Sequence, residues 1–210
     1  MTGKITYRVG SDGSANYPTL ASIPAEILSQ GETTFMLFPG TYDAPTNAVY
    51  NDVAFIGQGD PRKIIINGGI TIANTSTGIT AFENLSIVGA NAVAGSASAC
   101  ITKIGAASTP IQVRRVLFSN ADFAISHNSE LTFATTTRQV TMDYCDASGV
   151  DRAIRANANV AISFSALNVS ANAYFTPGGG AGVPLVTVRA STSAGGNTGN
   201  TTKTVLASVS

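Results

Sequence analysis

What most constrains this chain is a short segment that recurs. Asn84–Gly89 reads Asn-Leu-Ser-Ile-Val-Gly, and Asp52–Gly57 reads Asp-Val-Ala-Phe-Ile-Gly, with a polar lead, alternating apolar residues and a closing Gly. Arg115–Asn120, Asp143–Ser148 and Ala166–Ala171 continue the series. Marking each copy by one residue gives Val53, Leu85, Val116, Tyr144 and Leu167, at intervals of 32, 31, 28 and 23. A second set of alternating residues falls between these marks: Ile70/Ile72, Ile101, Leu131/Phe133, Val160/Ile162 and Val186/Val188. Each segment would show one face to a core and one to solvent. A period in the twenties to low thirties, with strands at fixed places within it, predicts a stacked solenoid. The expected fold is all-β: a single-stranded right-handed parallel β-helix of about five to six coils. Asp146 falls on an inward mark, where a carboxylate does not belong.

The solenoid is expected over residues 1–190, with 191–210 as a C-terminal extension. Ile5, Tyr7 and Val9 alternate as a first strand, closed by the turn cluster Gly10–Gly13. Leu20, Ile23, Ile27 and Leu28 then follow helical spacing, and Pro24 is tolerable only in a first turn. A short helix over residues 23–29 is predicted to cap the open end of the first coil.

Composition restricts the partners. Twelve basic and twelve acidic residues balance, so no net field draws in nucleic acid or an anionic membrane. No stretch approaches the roughly 20 apolar residues of a membrane span, and Met1–Val9 lacks the apolar run of a secretory signal. So low a charge, with a surface of Ser, Thr, Asn, Gly and Ala, suits a protein held in an assembly. Two cysteines, Cys100 and Cys145, fall in different strand ladders and read as small buried side chains, not a bridge.

Val9–Leu20 (Val-Gly-Ser-Asp-Gly-Ser-Ala-Asn-Tyr-Pro-Thr-Leu), Phe38-Pro-Gly-Thr-Tyr42, Val53–Asp60 and Lys63–Asn67 together resemble the opening of pectinesterase-type proteins, of the pectin-lyase-like right-handed β-helices. The resemblance spans about residues 7–90 and bears on the scaffold, which virion and tail proteins of bacteriophages share. It implies two catalytic Asp on adjacent coils, a nearby Arg and two Gln holding the oxyanion. Asp122 and Asp151 occupy candidate positions 29 residues apart, and Arg155 is the candidate Arg. Ala121 stands where the first Gln belongs, and no second Gln is found. Without those donors the largest usual catalytic contribution is missing. The alternative for Asp122 and Asp151 is a solvated turn residue after a strand.

Other candidates carry less. His127, the single histidine, lies in the polar run Ser126–Ser129 without a second ligand or a nucleophile at useful spacing. Gly57–Gly59 and Gly178–Gly180 do not lead into helices, so neither reads as a phosphate loop. Arg114, Arg115, Arg138, Arg152 and Arg155 would form a strip only if the coils stack them. Asn84 and Asn120 read as structural turn amides. No metal or cofactor is expected.

Three functions remain open: a non-enzymatic phage virion protein (a capsid-decorating cement protein or small spike), a carbohydrate- or surface-binding module, and a polysaccharide esterase or lyase using Asp122, Asp151 and Arg155. The first is the preferred expectation. It carries a virion location, made in the host cytoplasm, with capsid or other virion proteins as partners. A homotrimer is expected, because no helix caps the C-terminal end. Residues 192–202 would reach a neighbour, and Val205, Leu206 and Val209 would supply the apolar contact.

Overall fold

The computed structural model describes residues 4–45, 49–73, 75–89, 98–104, 110–128, 138–156, 160–165, 168–169, 175–177, 185–189 and 192–193. Among them the chain is a right-handed parallel β-helix: every strand pairing is parallel, and very little is helical. The strands are β1 Ile5–Val9, β2 Thr33–Leu37, β3 Gly40–Asp43, β4 Val53–Gly57, β5 Ile64–Asn67, β6 Ile70–Ile72, β7 Thr80–Val88 and β8 Ala99–Ile104. They continue as β9 Ile111–Asn128, β10 Arg138–Asp143, β11 Asp146–Ala156, β12 Val160–Ser165, β13 Asn168–Val169, β14 Phe175–Pro177, β15 Leu185–Arg189 and β16 Thr192–Ser193.

The pairings define three faces. Face one stacks eight strands through the column Thr33, Val53, Thr80, Ile111, Val140, Ile162 and Val186, headed by Ile5. Face two runs through Thr41, Ile65, Ser86, Leu117, Asp146, Asn168 and Thr192. Face three runs through Ile70, Ile101, Ile125, Ile154 and Phe175. The long strands β7, β9 and β11 bend from one face into the next. Among the described residues face one stacks eight strands, face two seven and face three five.

The recurring segment is a corner followed by a strand, and it occurs at more than one place in a coil. Val53 begins a face-one strand beside Thr80, whereas Leu85 begins a face-two stretch beside Val116. What Asp52 and Asn84 share is a left-handed backbone, with φ of 53° and 56°, which turns the chain before each apolar run. Tyr144 is itself such a corner residue, at φ 54° and 61% exposed, so it is not the inward mark of its segment. Cys145 and Ala147 point inward instead, and Asp146 faces out. A one-residue slip in reading that strand exchanges its faces, and the misplaced carboxylate disappears once the slip is corrected. The second expected ladder also divides: Ile70 and Ile101 lie on face three, Ile162 and Val186 on face one, and Leu131 and Phe133 lie outside the described residues.

The N-terminal cap begins later than expected. Helix α1 spans Ala25–Ser29, with Pro24 at its N-cap, and Ile23 ends a preceding single turn over Leu20–Ser22. Leu20, Ile23 and Leu28 are buried in the core. The outer edge of β1 is partly covered by its own continuation: Tyr17 bridges Val9, and the Arg8 amide donates to the Asn16 side chain at 2.8 Å.

Inside face one the rings of Tyr7, Phe35, Phe55 and Phe82 stack one per coil, with centroids 5.7, 5.4 and 5.3 Å apart. Asn84 and Asn120 are structural, as expected. Asn84 Nδ2 donates to the carbonyls of Gly57 (3.0 Å) and Gly59 (2.8 Å), and Asn120 Nδ2 to that of Gly89 (3.0 Å). Each side chain thus satisfies a corner carbonyl of the coil below.

Cys100 and Cys145 are free and buried, and burial pushes each thiol up to about 12. A thiol whose folded value lies above its unfolded one binds its proton more tightly in the native state. Its contribution is fully present below the unfolded value and is lost as pH rises towards the folded one. The melting temperature is therefore expected to fall between about pH 9 and 12, less steeply in Cys100→Ala/Cys145→Ala. Equal slopes in a pH series of thermal melts would refute the assignment.

Candidate carboxylate site on adjacent coils

Asp122 and Asp151 meet in the fold. Ala121 pairs with Val150 and Phe123 with Arg152, so the two Asp stand in one column on adjacent coils. Neighbouring strands lie about 4.8 Å apart, which puts the two backbones one rung apart. The 29-residue spacing read from the sequence is therefore one turn of the solenoid.

Their surroundings differ. Asp151 is exposed. Asp122 is half-buried and engaged with the coil below: its Oδ2 accepts from the Ser98 amide at 2.8 Å and from Ser98 Oγ at 3.4 Å. Ser98 Oγ in turn accepts from the Asp122 amide at 3.1 Å, and the Phe123 amide donates to the Ser98 carbonyl. Asp122 is a clasp that fastens the start of β8 to β9. Asp122→Ala is expected to cost about 1–2 kcal/mol by leaving the Ser98 amide without its acceptor, and Ser98→Ala adds a loss of its own by removing the acceptor of the Asp122 amide. Urea melts of the two single variants and the double variant check this, and an Asp122→Ala that melts like the parent would sink the clasp.

Arg155 is not beside the carboxylates. It pairs with Ser126, four residues beyond Asp151, or roughly 13 Å of extended chain. The nearer arginine is Arg152, which lies over the Phe123 ring at 5.6 Å. The coils do not stack these arginines into a strip. Arg114 stacks between Glu83 and Asp143 and approaches Glu83 at 3.7 Å, and Arg115 occupies a corner. Arg138, Arg152 and Arg155 pair with Val160, Phe123 and Ser126 in separate columns. His127 sits within β9, beside Lys103, and not in a loop. No group of three His, Cys, Asp or Glu among the described residues could hold a metal ion, and no described helix is long and apolar enough to cross a membrane. Val205, Leu206 and Val209 lie outside the described residues.

One polar residue escaped the sequence reading. Lys103 stands beside the inward Ile72, is fully buried, and donates from Nζ to the carbonyls of Ala73 (2.7 Å) and Ile104 (3.1 Å). The signal was present: Ile101 marks an inward position, and Lys103 is two residues further on.

With this geometry in view, a comparison with solved structures finds a rhamnogalacturonan lyase at a TM-score of 0.54 and 11% identity, covering 90% of this chain and 68% of that one. At that identity the likeness concerns the fold alone, a parallel β-helix. No family model matches the chain, and no curated protein does.

Proposed function

We propose that this chain is a non-catalytic structural subunit of a bacteriophage particle, a capsid-decorating protein or a small spike. The observation that carries the reading is the clasp. The carboxylate that the resemblance would make catalytic is hydrogen-bonded to Ser98 of the neighbouring coil, and Ala121 stands where an oxyanion donor is required. Immunogold labelling of particles released from cells that carry the gene is the test. Labelled particles are the expected result, and consistently unlabelled ones overturn the proposal.

The second reading is a polysaccharide esterase or lyase, and the stacking of Asp151 on Asp122 favours it. Two carboxylates a rung apart could divide acid and nucleophile roles if their surroundings separate their pKa values. Turnover of methyl-esterified pectin or another acidic polysaccharide, abolished by Asp151→Ala, would establish that reading in place of the first.

A further inference from the structure

Two corner columns bound face one on opposite sides and carry complementary chemistry. We propose that they dock on each other between two copies of this chain. The first column precedes the face-one strands. Glu32, Asp52 and Ile79 occupy it on successive coils, their carbonyls accepting in turn from the amides of Ile5, Thr33 and Val53. Glu32 is exposed, Asp52 half-buried and Ile79 37% exposed. The second column follows the same strands. Asn84, Arg115 and Tyr144 occupy it on successive coils, at φ of 56°, 53° and 54°.

Tyr144 is the informative residue. A bulky side chain at positive φ is strained, whereas Asn or Gly would sit there at little cost. The ring gains nothing visible in return: it is 61% exposed and lies outside the aromatic and cation–π contacts among the described residues. Nor do Glu32, Asp52 or Arg115 have an ion-pair partner among those residues.

Each column presents one side chain per coil, at the common strand spacing of about 4.8 Å, so the two are commensurate. Setting two copies side by side with parallel axes, shifted by two coils, brings Asp52 opposite Arg115 and Ile79 opposite Tyr144. Tyr and Arg are the residue types that most often anchor protein interfaces. The contact is head to tail and carries an axial shift, leaving one free column on each copy, so it builds open chains instead of closed two-fold pairs.

The test is sedimentation equilibrium of the full chain, alongside Tyr144→Asn and Arg115→Asn. Asn tolerates the left-handed backbone, so both variants should melt no lower than the parent while associating at least about tenfold more weakly. Arg115→Asp and Asp52→Arg should each be monomeric alone and co-assemble in alternation when mixed. If Asp52→Arg does not fold, Ile79→Thr replaces it as the variant that blocks the first column. Three results overturn the proposal: a parent chain that stays monomeric at its solubility limit, a Tyr144→Asn that associates like the parent, or one that melts lower because the ring packs within its own chain. The contact rests on reading the chain as an assembly subunit, yet the two fail separately. Polysaccharide turnover would sink the subunit reading and leave the columns' docking intact, whereas a strictly monomeric chain would sink only the docking.

Discussion

Phe55→Ala should lower stability by about 4–5 kcal/mol, enough to unfold a domain of ordinary stability. Phe55 is an inner ring of the internal stack, 5.4 Å from Phe35 and 5.3 Å from Phe82, and Tyr50 meets its edge at 5.8 Å. All four side chains are buried. Truncation therefore removes the transfer free energy of a buried ring, about 3–5 kcal/mol with the cavity included. It also removes ring–ring contacts worth roughly 0.5–1.5 kcal/mol each. The coils above and below cannot close the gap, because their separation is fixed by the strand hydrogen bonds. Phe55→Leu keeps most of the volume and should cost under about 1.5 kcal/mol. Urea melts of both variants are the measurement. A Phe55→Ala loss below about 1 kcal/mol would mean that the stack adds little.

Gly57→Ala should cost roughly 3 kcal/mol or more, although it adds a single methyl group. A Cβ at Gly57 would lie 2.0 Å from the Asn84 carbonyl oxygen and 3.0 Å from Ile64 Cδ1. The first obstacle is backbone on the next coil, held by the corner that Asn84 itself forms. Relief would require parting two rungs, and Asn84 Nδ2 would then lose its acceptors at Gly57 and Gly59. Gly59→Ala is the control, two residues away. Its φ of 115° strains an alanine, but nothing lies within 4 Å of the added carbon. It should cost only about 1 kcal/mol, from backbone conformation alone. Equal losses at the two positions would show that backbone strain, and not the close approach of coils, governs these glycines.

The local pattern of this chain was legible before any coordinates. Alternating apolar residues at an interval near a coil's length require strands, and strands too short to bury their own faces must stack. The carboxylate column was legible for the same reason: a separation of 29 residues between Asp122 and Asp151 is one turn. Pro24 marked the cap, and its effect was a matter of local backbone chemistry.

Tertiary structure alone decided which face each strand joins. Asp52 and Asn84 open similar segments because both turn the chain through a left-handed corner, yet one leads into face one and the other into face two. A coil passes several corners, so similar segments can recur within a turn as well as between turns, and periodicity does not separate the two. The Tyr144 corner shows the same limit. Nothing in Asp-Tyr-Cys-Asp says that the aromatic takes the left-handed position and the cysteine the core, until β10 and β11 are in register with β9. Register is a pairing between distant segments, and the roles of Asp122, as clasp to Ser98, and of Lys103, inside the core, follow from it. A side chain's type is local, but its neighbours one coil away are set by how many residues the intervening loops consume.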